Sequence, residues 1–364
     1  MSVPFLDLSR SHRWLRDDIL ARFAETYDAG RFCLGADVSA FEGEFAKASG
    51  CADAVGVSNG TAALHLVARA HDLGPGDEVV VPAFTFIASA WTASYVGAKP
   101  VFCDVDPVTF NVTAESIAAV VTEKTKAIVV VHLFGQAADM DPILKLGAER
   151  GIPIIEDCAQ AHLSTYRGRP VGTMGAAGTF SFYPTKNLGG VGEGGAVVST
   201  NDAVLEKVRL LRVHGSGVRY QHDDVGYNYR MEGLQAAALS VKLAHLESWT
   251  ARRREIAARY RDGIKRDDTT LPQPAEWGDS VYHQFTILHP ERDRLRADLT
   301  NKGIGTDLIY PRALHEQPCY REVGPAVGAL PGAEKTARDC LSLPIFPELT
   351  ETEIDEVIEA VNSF

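Results

Sequence analysis

The stretch Gly178-Thr179-Phe180-Ser181-Phe182-Tyr183-Pro184-Thr185-Lys186-Asn187, running on into Gly189-Gly190-Val191-Gly192-Glu193-Gly194-Gly195, decides how this chain is read. A short apolar strand delivers one lysine into a setting of aromatic, small and glycine residues. A lone lysine is ordinarily a solvated surface charge. Confinement changes that, because lost hydration penalises the ammonium and favours the neutral, nucleophilic amine. Upstream, the apolar run Ile152-Pro153-Ile154-Ile155 leads into Glu156-Asp157. The carboxylate at the end of that second strand either caps the next turn or faces what the lysine faces.

Working outward, short β-branched runs alternate with helical patterns through residue 245. Strand candidates are 54–58, 78–82, 100–104, 127–131, 153–156, 178–182 and 195–199, with helical stretches at 61–71, 87–96, 114–121, 142–150 and 202–213. Val79-Val80-Val81 and Ile128-Val129-Val130-Val131 are apolar throughout, as strands covered on both faces are. This pattern predicts an α/β fold, a mostly parallel central sheet with helices on both faces, over residues 1–245. From about Thr250 the character changes. A charged helix carrying Arg252-Arg253-Arg254-Glu255 leads to a Pro-rich loop, a strand 281–288, a helix near 291–302, a strand-like piece 305–310 and a terminal helix from Thr350. Residues 246–364 are therefore expected to form a smaller α+β domain.

Ligands of such sheets bind outside the carboxyl ends of the strands. Ser58, Asn59, Asp104, His132, Asp157 and Ser181 all fall at those ends. Lys186 and Asp157 in one such cleft are the pair that pyridoxal phosphate requires. The lysine holds the cofactor aldehyde as a Schiff base, and the carboxylate keeps the pyridine nitrogen protonated so that the ring accepts electrons. Gln160, three residues past Asp157, is in range of the ring's phenolic oxygen. Ser58-Asn59-Gly60-Thr61 reads as a strand end, a glycine turn and a helix start, whose free N–H groups and positive dipole end suit a phosphate. Ser181 adds a hydroxyl. In Pro82-Ala83-Phe84-Thr85-Phe86, both phenylalanines read first as core residues, with one of them able to stack on a ring face. Gly190, Gly192 and Gly195 match G-x-G-x-x-G, but between two strands and with no helix opening at the third glycine. A tight turn with positive φ is the expectation there.

The bulk properties exclude several classes. The chain has 364 residues, with 36 Lys plus Arg against 48 Asp plus Glu and a net charge of −12, a balance that argues against a nucleic-acid partner. Its six cysteines form no C-x-x-C pair and no metal-spaced cluster with histidine, so buried reduced thiols and no metal are expected. The N-terminus has no basic or apolar signal region and no run approaches a membrane span. A cytoplasmic protein is expected.

Together these segments resemble the DegT/DnrJ/EryC1/StrS family of sugar aminotransferases, within fold-type I pyridoxal phosphate enzymes. The motifs are Pro4-Phe5-Leu6-Asp7-Leu8, Ser58 to Leu64, Pro82 to Phe86, Glu156-Asp157-Cys158-Ala159-Gln160-Ala161-His162 and Phe180 to Gly195. Tyr227-Asn228-Tyr229-Arg230-Met231, Leu234-Gln235-Ala236-Ala237 and Leu343-Pro344-Ile345-Phe346-Pro347 complete the set. The resemblance implies that Lys186 carries the Schiff base, Asp157 pairs with the pyridine nitrogen and Gln160 touches the phenolic oxygen. It also implies that Gly60, Thr61 and Ser181 hold the phosphate and that Phe86 lies over the ring. Asn228 would reach the phosphate of a neighbouring subunit, making a homodimer with composite active sites the functional unit. Lysine rather than histidine at 186 favours transamination over dehydration. The implied reaction takes an amino group from L-glutamate to a keto sugar of a nucleoside diphosphate, and the Tyr183-to-Gly189 motif leans towards 3-keto sugars. Substrate contacts are expected from Tyr183, His283, Tyr310 and His315. Two other readings share the cofactor residues: amination of a keto-cyclitol such as an inosose, and a regulatory protein that binds the cofactor without turnover. The family commonly carries His-Gly-Ala where this chain has His162-Leu163-Ser164.

Overall fold

All seven expected strands of the large sheet form, in the computed structural model that describes residues 2–364. They are β1 (Ala54–Val57), β2 (Glu78–Pro82), β3 (Lys99–Cys103), β4 (Thr125–Val131), β5 (Ile154–Asp157), β8 (Ala177–Ser181) and β9 (Gly195–Val198); β6 (Thr165–Tyr166) and β7 (Arg169–Pro170) form a small ribbon between β5 and β8. The order across the sheet is β1-β9-β8-β5-β4-β2-β3, and β9 alone runs against the others. β1, β2, β4, β5, β8 and β9 are almost wholly buried, which is why their sequences read as continuous apolar runs. The carboxyl ends of the parallel strands therefore share one edge.

The crossovers are the helices α3 (Gly60–Ala70), α4 (Ile87–Ser94), α5 (Ala114–Ala118) and α6 (Met140–Arg150), and α7 (Asp202–Leu211) follows the last strand of the sheet. Three further helices, α1 (Leu8–Ala29), α2 (Ala36–Ala48) and α8 (Gly233–Leu243), pack α1 and α2 against α8. None of the three stood out as a helix in the sequence pattern. The chain then continues through α9 (Leu246–Gly263), β10 (Gly278–Asp279), β11 (Phe285–Leu288), α10 (Arg292–Asn301), α11 (Pro331–Asp339), β12 (Cys340–Leu343) and α12 (Glu351–Asn362).

Two large apolar cores result, with a small third cluster of Leu15, Ile19 and Ala238 between α1 and α8. The larger gathers the sheet and its helices but also takes in Leu314, Tyr320, Ala333 and Cys340. The smaller is built from Ile256, Tyr260, Phe285, Leu295, Leu341, Ile354 and Val357, and it includes Val3 from the start of the chain. Val3 exchanges hydrogen bonds with Gly303 and Gly305, so the N-terminal segment is stitched to the smaller core.

Two strand expectations need correction. The strand expected over 281–288 is ladder-paired only from Phe285, because the amides of Val281 and His283 donate to Gly135 and Phe134 and Tyr282 has φ +43°. The piece 305–310 is a single bridge between Asp307 and Ser342, on the edge of β12 away from β11. The cysteines are all free thiols, yet Cys33 and Cys319 are exposed, contrary to the buried set expected.

Candidate active site

β5 ends with two acidic residues that point to opposite faces of the sheet. Glu156 is fully buried and accepts hydrogen bonds from His132 Nε2 (3.0 Å) and the amides of Gly172, Met174 and Gly175 (2.6–2.8 Å). Ala138 N–H donates to His132 Nδ1, which leaves Nε2 as the nitrogen that donates to Glu156. Burial alone would raise the Glu156 pKa, but the His132 bond and the backbone amides outweigh it and hold it below the usual value. Glu156, His132 and Cys158 lie close enough to ligate a metal, yet the carboxylate and imidazole lone pairs are already engaged internally.

Asp157 is also buried and, among the described residues, has only two donors, Ser89 Oγ at 2.8 Å and Ala159 N–H at 3.1 Å. The second bond is the turn cap considered from sequence. Burial raises its pKa, against the opposing pull of Ser89, Ala159 and Lys186. Lys186 is the reciprocal case: burial lowers its pKa to about 8, and Asp157 is the charge that resists the shift. The two residues thus belong to one electrostatic site. Ser89, in the first turn of α4, was invisible in sequence, because a serine at that place reads as a solvated helix position.

The turn that carries Lys186 is closed by Lys186 N–H to Tyr183 O and Gly190 N–H to Phe182 O, both 2.8 Å. The positive φ expected for its glycines is absent: Gly190, Gly192 and Gly195 all have ordinary backbone angles. Space is what demands glycine here. A Cβ on Gly189 would lie 2.2 Å from Pro184 O, and one on Gly195 would lie 2.5 Å from the Asn59 carbonyl.

Asn59 caps α3 by accepting from Ala62 N–H at 2.8 Å. The amides of Gly60 and Thr61, in the first turn, have no intrahelical acceptor. Ser181 lies against them so closely that a Cβ on Gly60 would sit 2.7 Å from the Ser181 Cβ. Gln160 accepts from Phe134 N–H (2.8 Å) and donates to the Tyr310 hydroxyl (3.0 Å). Tyr310 in turn lies 5.9 Å from the Phe86 ring, tilted by 39°. Phe84 is buried in the core whereas Phe86 is 51% exposed at the start of α4, which separates the two roles offered by that motif. Tyr183, beside the Lys186 turn, is also exposed.

The remaining expected residues divide. His283 is buried with Nδ1 3.2 Å from Asn187 Oδ1, and burial followed by Lys186 pulls its pKa well down. His315 is buried on Glu334 at 3.1 Å and borders a separate surface basin with Arg312 and Arg321. Asn228 is exposed, bridged to Val213, in a segment where Val218, Tyr220 and Val225 are 64–81% exposed. Two residues at strand ends leave the group gathered from sequence. Asp104 is spent on the Gly332 and Ala333 amides at the start of α11, and His132 belongs to the Glu156 network. His162 is buried among Phe45, Phe180 and Phe182 with neither ring nitrogen bonded, its pKa lowered to about 3 by burial and then Lys186. The next residue, Leu163, has φ +65°, a conformation that glycine adopts without cost.

The fold defines a class, the fold-type I α/β proteins, here with a lysine of lowered pKa just past one strand of the sheet and a buried carboxylate at the end of the next. The DegT/DnrJ/EryC1/StrS aminotransferase family model matches residues 14–362, and the chain belongs to that family. It is 45% identical to the "Pleiotropic regulatory protein" of Geobacillus stearothermophilus over 100% of this chain and 99% of that one. It is 43% identical to the dTDP-3-amino-3,4,6-trideoxy-alpha-D-glucose transaminase of Streptomyces venezuelae, over 100% and 96% of the two chains. Among solved structures, S. venezuelae DesV in complex with a ketimine intermediate superposes with a TM-score of 0.97 at 42% identity, covering 100% of this chain and 98% of that one. Among the described residues no helix is long and apolar enough to cross a membrane.

Proposed function

We propose that the chain is a pyridoxal phosphate-dependent aminotransferase that moves an amino group from an amino acid, L-glutamate in this reading, to a keto sugar of a nucleoside diphosphate, aminating a 3-keto carbon. The observation that supports this is a pair of incompletely partnered residues whose charges act on one another: Asp157, buried with two donors among the described residues, and Lys186, with its pKa lowered by burial, a shift that Asp157 resists. The 3-amino sugar transaminase among the relatives supports the acceptor.

The residues fit the cofactor. A protonated pyridine nitrogen would supply the cation that buried Asp157 lacks. The unspent amides of Gly60 and Thr61, with the Ser181 hydroxyl, suit the phosphate. Gln160 has a second amide proton for a phenolic oxygen, and the exposed Phe86 ring offers a stacking face. When bound, the cofactor supplies an electron sink for the substrate Cα–H bond. Lys186 Nζ then acts as the base that takes the Cα proton and the acid that returns it, a role its lowered pKa suits. Ser89 and Ala159 hold Asp157 in position for this. In the net reaction the amino acid leaves as its keto acid and the sugar carbonyl becomes an amine.

The functional unit in this reading is a homodimer. Phe86 and Tyr183 are exposed at the cleft, and the segment around Asn228 presents further exposed apolar side chains for a second copy to cover. The division into a cofactor-binding part (1–245) and a smaller part (246–364) that closes over the sugar belongs to the same proposal. Mixing Lys186→Ala and Asn228→Ala subunits tests it: composite sites predict that hybrids regain activity that neither variant has alone. The acceptor is tested by loading the protein with pyridoxal phosphate, converting it with glutamate and offering nucleoside diphosphate 3-keto sugars, 4-keto sugars and free inososes. Return of the visible absorbance band with the 3-keto sugar alone is the expected result. Return with the inosose would move the assignment to cyclitols, and no conversion by glutamate would point to binding without turnover.

A further inference from the structure

The Lys186 turn does not hold its shape by itself. Its back rests on α8, where two polar side chains seven residues apart, and so on one face of the helix, are buried against it: Gln235 and Lys242. Gln235 Oε1 accepts from Val191 N–H at 3.0 Å. The same amide explains two glycines, since a Cβ on Gly190 or Gly192 would lie 2.9 or 2.7 Å from it. Lys242 is 4% exposed, and its Nζ donates to the Gly189 carbonyl at 2.7 Å and to His12 Nε2 at 3.2 Å. Gly189 is itself pressed against the Pro184 carbonyl, two residues before Lys186. A displacement at Gly189 therefore passes directly to the residues flanking the lysine.

We infer that Lys242, assisted by Gln235, is a positioning residue for Lys186: a second, buried lysine whose ammonium fixes the turn that presents the first. Burying a charge costs stability unless its hydrogen bonds are met. An apolar side chain would fill this position at less cost, so what the ammonium adds is a directed bond to one carbonyl of the turn. A small void of about 40 Å³, lined by Lys186, Lys242, Arg253 and Glu348 among others, adjoins the turn and has room for a bound water.

The inference rests on the proposed role of Lys186, and its test separates the two. Lys242→Met keeps the length and removes the donor, whereas Lys242→Gln keeps a donor for Gly189 O. Gln235→Leu removes the second anchor and serves if the methionine variant does not fold. Two measurements are made: amide hydrogen exchange of residues 186–191 in the cofactor-free protein, and the pH midpoint of the visible band after loading with pyridoxal phosphate. In Lys242→Met, exchange should rise about tenfold, the midpoint should move by about half a unit, and kcat should fall about tenfold with KM for the donor nearly unchanged. Lys242→Gln should recover most of each effect. A methionine variant that loses thermal stability but keeps wild-type exchange, midpoint and kcat overturns the inference and leaves Lys242 as packing. If the wild-type protein never develops the band, the cofactor reading fails, and the exchange comparison still decides the clamp.

Discussion

The two faces of β5 treat chemically similar side chains in opposite ways. Behind the strand, Glu156 receives four hydrogen bonds, from His132 and from three amides of the 172–175 turn, and its pKa is lowered. In front, Asp157 receives two and its pKa is raised. Both are buried, so the difference lies in partners and not in solvent. A carboxylate whose lone pairs are all used is part of the scaffold. One left short of donors beside a lysine of lowered pKa is poised for a cationic ligand, because burial without a partner is otherwise costly. Adjacent residues thus separate the framework of the site from its chemistry.

The contrast can be broken from either side. The largest effect is expected from Asp157→Asn, which should still take up the cofactor but lose about 10²–10³-fold in kcat, measured in steady-state transamination. Near wild-type turnover in that variant would remove the electron-sink role. Glu156→Gln should act on the framework, destabilising the protein by about 3 kcal/mol in denaturant unfolding, since an amide nitrogen would face backbone donors. Its kcat should change far less than that of Asp157→Asn.

A pH experiment sharpens the comparison. Schiff-base formation needs the neutral Lys186 amine, so the rate of cofactor attachment to cofactor-free protein should rise as pH increases through about 8. Asp157 favours the ammonium form, so Asp157→Asn should lower the midpoint of that rise, whereas Glu156→Gln should leave it in place. The smallest effect is expected far from β5, at the pair of bonds from Arg10 to Glu353 (2.7 and 2.8 Å) that ties α1 to α12. The Arg10 bonds draw the Glu353 pKa down to about 2. The pair's contribution is therefore complete above the ordinary carboxylate range and disappears as pH falls through about 2. Glu353→Gln should cost about 1 kcal/mol at neutral pH.

How much of this was legible in sequence follows the same physics. Strands buried on both faces announce themselves as apolar runs, and all seven were found to within about two residues. Lys186 and Asp157 could be singled out because Asp157 is a charge at the end of such a run and Lys186 a charge a few residues past one, among aromatic and small neighbours. Ser89 could not, nor could the roles of Gln235 and Lys242, because helix positions are recognised by the face they present and that depends on the neighbour. Val281-Tyr282-His283-Gln284 alternates like a strand, but its amides are claimed by the turn at Phe134 and Gly135, a long-range pairing that alternation cannot reveal. The glycines after Lys186 were read for backbone freedom when the demand was for space against Pro184, Gln235 and Asn59.

The central claim, that Lys186 and Asp157 grip one pyridoxal phosphate, is tested most directly by reducing the loaded protein with borohydride and mapping the modified peptide by mass spectrometry. The account predicts a single phosphopyridoxyl group, on Lys186, and none in Lys186→Ala. Modification of another lysine, or none at all in the wild type, would contradict it.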